Sequence, residues 1–142
     1  MTPVFQTCVD PGKGNCHQAC IAALLDLELS QVPNLILFGD HEWWNVYYYF
    51  FYALGWQLEG TKYFKEGKIP KLEDSINGHF DACVPSRTFE GKTHAVVIDV
   101  NGIVVHDPNP NQLWLGENVI ETGNLKSWTI FSKLGDREET ND

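Results

Sequence analysis

Basic residues are scarce in this chain of 142 residues: ten Lys and Arg stand against nineteen Asp and Glu, a net charge of −9 with histidines neutral. Neutralising a phosphate backbone or an anionic lipid surface needs clustered Lys and Arg, and no such cluster occurs. Nucleic acid and membrane are therefore not expected as partners. Long apolar runs are missing too: the stretch around Val46 to Leu54 falls short of the roughly 20 residues that a bilayer span requires. Cysteine is sparse and unevenly placed at Cys8, Cys16, Cys20 and Cys83, unlike the disulfide framework of a small secreted domain. For an exported chain the alternative is a Cys8–Cys16 loop. The first residues, Met-Thr-Pro-Val-Phe-Gln, have neither the basic stretch nor the apolar run of a secretory signal, so a reducing cytoplasm is the expected location. Internal repeats and low-complexity stretches are also lacking.

What is there suffices for a hydrophobic core: 43% of residues are apolar and 13% aromatic. The length fits one domain over residues 1–135, and the charged, polar residues 136–142 read as a flexible tail. An extended arm leads to a loop at Asp10-Pro11-Gly12-Lys13-Gly14, where Pro-Gly and a second glycine mark a turn. Asn15 stands where a helix N-cap belongs, and good helix formers run from Cys16 to Asp26. Cys16, Cys20, Ala23 and Leu24 share one face of that helix, expected to point inward. A turn at Ser30–Asn34 follows. Asp40 reads as the N-cap of a second helix, His41 to Leu54, closed by Gly55 at C′. Its aromatic residues extend right round the helix, which predicts burial on several sides, with part of it walling a groove.

The second half is β-rich, with strands expected at His79–Val84, His94–Val100, Ile103–His106 and Trp128–Ser132. Helices first and strands afterwards predict an α+β fold, helices against an antiparallel sheet. The informative segment is Thr93 to Pro108, where Asn101-Gly102 between β-branched runs predicts a two-residue type I′ hairpin turn. Counting outward pairs Val100 with Ile103, Val97 with His106 and Val96 with Asp107. His94 shares the face of Val96, so His94 and Asp107 become diagonal neighbours, roughly 7–8 Å apart at the backbone and within side-chain reach. A slip of one residue would separate them.

A histidine oriented by an aspartate is two-thirds of a catalytic triad. The missing nucleophile is expected at Cys16, where a helix N-terminus favours thiolate over thiol. Its backbone N–H suits an oxyanion hole, with Gln6 in the arm as the second donor and Gln18 as the alternative. Gln6, Gly14-Asn15-Cys16 opening a helix, Thr93-His94-Ala95-Val96-Val97 and His106-Asp107-Pro108 together resemble a papain-like cysteine peptidase. The closer similarity is to the bacteriocin-leader peptidases and their stand-alone relatives, and it covers residues 6–30 and 92–110. The chain departs from that branch where His17, not glycine, follows the cysteine, and where the Gln-to-Cys interval is longer.

The resemblance implies Cys16 as nucleophile, His94 as general base and acid, Asp107 as orienting carboxylate and Gln6 as oxyanion donor, on a papain-like fold. The expected reaction is hydrolysis of a peptide, isopeptide or other amide bond in a peptide or protein substrate, without metal or organic cofactor. Trp43, Trp44 and Tyr47 are candidates to line the cleft. The same triad also supports acyl transfer of the transglutaminase kind or deamidation. A non-catalytic papain-like module, phage- or plasmid-borne and capturing a host protein, is a further class. Cys20 and Cys83 read as core thiols, and His17 and His106 as solvent-facing or local hydrogen-bonders. A zinc site from Cys8, Cys16, His17 and Cys20 is a weak rival, since the spacing lacks a close cysteine pair. Gly12-Lys13-Gly14 lacks the spacing of a phosphate loop.

Overall fold

The structure, a computed structural model, describes residues 1–9, 14–34 and 42–135. Among the described residues two α-helices, α1 (Cys16–Leu25) and α2 (Trp43–Ala53), accompany five strands. The strands are β1 (Trp56–Tyr63), β2 (His79–Pro85), β3 (Thr93–Asp99), β4 (Val104–His106) and β5 (Ser127–Lys133). They form one sheet in the order β1-β5-β2-β3-β4, with antiparallel pairing throughout. This is the expected α+β arrangement of helices on an antiparallel sheet. The predicted turn at residues 10–13, the Asp40 cap with His41, and the tail from 136 lie outside the described residues.

The pleat sends alternate residues to two cores. Ala95 and Val97 of β3 join the cluster built around α1 and α2, whereas Val96 and Ile98 join a second cluster on the opposite face. The helix α1 lies against β3 through small residues, and every position from Gln18 to Leu24 is buried. Cys20, Ala23 and Leu24 of the expected inward stripe are buried, but burial extends beyond one face, and Cys16, His17 and Leu25 at the two ends are half-buried. The helix ends at Leu25 rather than Asp26, because Asp26 takes the left-handed conformation (φ 55°) and its side chain accepts from the Thr2 hydroxyl at 2.8 Å.

The second helix corrects the expectation in the other direction. It buries Tyr47 and Phe51, one turn apart, and leaves Tyr49 (69%) and Tyr52 (53%) exposed, so it is amphipathic rather than buried all round. Phe51 packs on Phe131 of β5 with ring centroids 4.7 Å apart. Gly55, at φ 90°, closes it as predicted.

The sequence reading missed β1, whose pairing with β5 is interrupted by a bulge between Leu58 and Gly60 that breaks the period-two pattern. It also missed what covers the second face. The segment from 109 to 126 forms neither helix nor strand, yet buries Trp114, Val119 and Leu125 against the sheet. Backbone hydrogen bonds hold it beside β4: Val104 N–H to Glu117 C=O and Gly116 N–H to Val104 C=O, both 2.9 Å.

The hairpin turn differs from the prediction in an instructive way. Asn101 does not adopt the positive φ that a type I′ turn demands. Instead Asp99 C=O accepts from Gly102 N–H at 3.1 Å, and Asp99 Oδ1 accepts from the N–H groups of Asn101 (2.9 Å) and Ile103 (3.0 Å). The aspartate side chain organises a longer turn, and the pairing becomes Ile98 with Val104. A bulge between Val97 and Ile98 then absorbs the extra residue and restores Val97 opposite His106. The register at the functional end is thus the one expected.

Gly102 carries this turn at φ 86°, and a Cβ there would stand 2.5 Å from Ile120 Cγ1. Gly102→Ala should lower stability by about 1–3 kcal/mol, read as a reduced urea midpoint. An unchanged midpoint would contradict the close packing of the 109–126 segment on the turn.

Candidate active site

Asn15 sets up the start of α1 without capping it. Its Oδ1 accepts from the backbone N–H groups of Thr7 (2.9 Å) and Cys8 (3.0 Å), pinning the N-terminal arm. The first-turn N–H groups therefore have no side-chain cap, and their partial positive charge stays beside Cys16. The arm is fastened further along by Gln6 N–H to Pro108 C=O at 2.9 Å.

The sulfur of Cys16 meets β3 at its start. His94 Nε2 lies 2.7 Å from Asp107 Oδ1, with Asp107 only 1% exposed. An ionised carboxylate only accepts, so Nε2–H donates to it, leaving Nδ1 free to serve Cys16, whose thiol interacts electrostatically with the ring. The register derived from the hairpin thus brings together three of the predicted residues.

The protonation states follow from opposed terms. For Cys16, burial alone pushes the thiol up, but the His94 hydrogen bond, the Ala95 backbone hydrogen bond and the charges of His94 and His17 outweigh it and hold it below its usual value. For His94, burial pulls the ring down, yet the hydrogen bonds and charges of Asp107 and Cys16 raise it to about 9. Burial opposes ionisation of Asp107 as well. Hydrogen bonds from His94, from Asn109 N–H (3.0 Å, Oδ1) and from Trp114 N–H (3.0 Å, Oδ2) overcome it and keep the carboxyl low. Near neutral pH His94 is therefore an imidazolium, and its charge favours the thiolate of Cys16 over the thiol.

Gln6 lines the same 280 Å³ cavity as Cys16, His94 and Asp107. One of its amide hydrogens goes to Cys8 C=O at 2.8 Å, and the amide has a second hydrogen to offer. Gln18 is corrected as the alternative donor: its amide nitrogen serves the carbonyls of Leu29 (3.1 Å) and Val32 (2.9 Å), fastening the turn after α1.

A second cavity of about 490 Å³ opens on the other side of the thiol, sharing Cys16, Thr93 and His94 with the first. Trp43, Trp44 and Tyr47, the three aromatic residues expected in the cleft, all line it. So do His17 and Asp81, a pair the sequence reading did not join. His17 Nδ1 lies 2.9 Å from Asp81 Oδ2, and its ring stacks at a tilt beside Tyr47. Burial lowers the His17 pKa, but Asp81 more than compensates and raises it. A lone carboxylate inside the apolar run of β2 was the signal for Asp81, since buried charges require partners. Arg87 was missed as well. It stacks on Trp114 at 3.6 Å from the ring centroid and makes a two-pronged ion pair with Glu117 on the wall of the first cavity.

His106 is neither solvent-facing nor in the site. It is buried, and its Nε2–H donates to Val4 C=O at 2.6 Å. Cys8, Cys16, Cys20 and Cys83 are all free thiols. Cys20 is 0% exposed and its burial pushes the thiol well up, as a core position requires. Among the described residues no three His, Cys, Asp or Glu side chains gather as a metal site, so the four residues of the zinc reading do not converge. No helix among the described residues is long and apolar enough to cross a membrane. No family model matches the chain, and neither does any curated protein or solved structure.

Iodoacetamide should therefore alkylate Cys16 at pH 6–7 at least tenfold faster than Cys83, whose thiol burial pushes up. Mass spectrometry of tryptic peptides against time reads the difference, and equal rates would contradict the ion pair. Asp107→Asn removes the charge that holds the imidazolium and should shift the acid limb of Cys16 alkylation toward the pH of an ordinary thiol. It should also cost about 1–3 kcal/mol of stability, because one amide oxygen cannot replace two carboxylate oxygens.

Proposed function

We propose that this protein is a papain-like cysteine hydrolase acting on an amide bond of a peptide or protein. The observation that carries the reading is the convergence of Cys16, His94 and Asp107 on one cavity, with the His94–Asp107 hydrogen bond at 2.7 Å behind the ring. The Cys16 thiolate attacks the carbonyl carbon. The oxygen that gains the charge is received by the Cys16 backbone N–H and the second amide hydrogen of Gln6. The His94 imidazolium gives its proton to the departing amine as the C–N bond breaks, leaving a thioester. Neutral His94 then takes a proton from water, hydroxide attacks the thioester, and the sulfur leaves as thiolate while the acid is released. Asp107 holds the ring so that Nδ1 faces the sulfur throughout, and remains ionised. A reducing compartment such as the cytoplasm suits a chain with four free thiols.

The test is hydrolysis of a fluorogenic peptide-amide library. Cys16→Ala should abolish turnover, and His94→Ala should lower it by roughly 10²–10⁴-fold with the circular dichroism spectrum retained. The pH profile of kcat/KM should fall on the alkaline side near about 9, where His94 loses the proton the leaving amine needs. Turnover that survives Cys16→Ala would refute the reading.

A further inference from the structure

The ladder between β2 and β3 runs one pair beyond the strands, because Ser86 N–H donates to Lys92 C=O at 2.8 Å next to the Pro85–Thr93 pair. Lys92 therefore stands two positions from His94 along extended backbone, on the same face and roughly 7 Å away. Its own N–H donates to Phe89 C=O at 3.2 Å, so both of its backbone groups are fixed. The side chain is exposed and lines the smaller cavity together with Cys16, His94 and Asp107. Its ammonium joins no ion pair among the described residues. Asp107 is the one acid among the described residues that lines this cavity, and its oxygens are taken by His94, Asn109 and Trp114. Glu117 stands outside the lining and is occupied by Arg87, whose guanidinium also donates to Leu113 C=O at 2.7 Å. Lys92 thus carries a positive charge at the thiol that the described residues leave unmatched, and it is open to an incoming group. The larger cavity has no Lys or Arg in its wall. Charges elsewhere on this acidic chain are screened beyond about 10 Å at 0.1 M ionic strength, so a contact inside the cavity decides which side chain is accepted there.

We infer that the smaller cavity accepts an acidic side chain, glutamate or aspartate, from the substrate residue beside the bond that Cys16 attacks, with Lys92 as the specificity-determining residue. The inference rests on the proposed hydrolase reading. The ammonium donates to the incoming carboxylate. Arg87, stacked on Trp114 and tied to Leu113 C=O and Glu117, walls the same space and has guanidinium hydrogens that these partners leave over. A glutamine of the same shape lacks the charge and a lysine is repelled, so selection is by charge rather than by size.

Protection of Cys16 from iodoacetamide tests this apart from turnover. Alkylation is followed with the Nα-acetyl methylamides of glutamate, glutamine and lysine. In the wild-type protein the glutamate compound should protect at concentrations about threefold or more below the glutamine compound, the scale of a partly exposed ion pair, and lysine should protect least. Salt at about 1 M, where the screening length falls to about 3 Å, should remove most of that preference. Lys92→Gln should bring glutamate and glutamine level, and Lys92→Glu should invert the order of glutamate and lysine. Both variants replace an exposed side chain held only through its backbone, so the fold is kept. Equal protection by glutamate and glutamine in the wild-type protein would overturn the proposal, as would protection by none of the compounds. A glutamate preference that persists in Lys92→Gln, or that salt leaves unchanged, would overturn it too. Slow alkylation of Cys16 with no compound added would instead count against the reactive thiol itself, which separates the two failures.

Discussion

The hydrogen bond between His94 and Asp107 is the constraint around which the rest of the structure is arranged. A carboxylate 1% exposed is tenable only if its oxygens are occupied, and Asp107 obtains three donors from three places: the imidazole on β3, Asn109 in its own turn, and Trp114 in the covering segment. Each donor fixes a piece of chain. The imidazole sets the end of the hairpin, Asn109 turns the backbone away after β4, and Trp114 draws the 109–126 segment over the second face, where its indole packs in that core. Buried polar groups are costly when half satisfied, so these three segments are cooperative in position. The chemistry of Cys16 depends on the outcome, because the ring it faces is held from behind.

Two histidine–aspartate pairs flank one sulfur. His94–Asp107 and His17–Asp81 meet Cys16 from the two cavities, and both rings act to hold the thiol below its usual value. They differ in what their carboxylates have left to offer. Asp107 has both oxygens engaged and is structural to the ring it serves, whereas Asp81 keeps one oxygen without a partner. The environment, not the residue type, separates their roles.

Much of the architecture was legible because the informative segments were local. A hairpin flanked by β-branched residues, a run of helix formers after a glycine, and a glycine after an aromatic run each determine a few residues of backbone. The placement of His94 against Asp107 followed from counting pairs alone. The exact turn was not legible, since Asp99 binding two backbone N–H groups was invisible in the Asn-Gly pattern. That error did no harm because the bulge beyond it restored the register. What escaped entirely was non-local: β1, with its bulge at Gly60; the covering of the second face by a segment with no periodicity; and the joining of His17 to Asp81 across 64 residues of chain. The burial of α1 on every side could not be read from one helix, because it depends on the arm, the sheet and the turn after it packing round it at once.

Residues 106 and 107 point to opposite sides of the same strand end, and each grips a different part of the molecule. His106 takes the carbonyl of Val4 while Asp107 takes His94, and Pro108 C=O then takes Gln6 N–H. Three consecutive positions therefore rivet the amino-terminal arm and the imidazole to a single rod of backbone. The same arm is tied to α1 through Asn15 at Thr7 and Cys8, so it bridges the helix that bears the sulfur and the strand end that holds the imidazole.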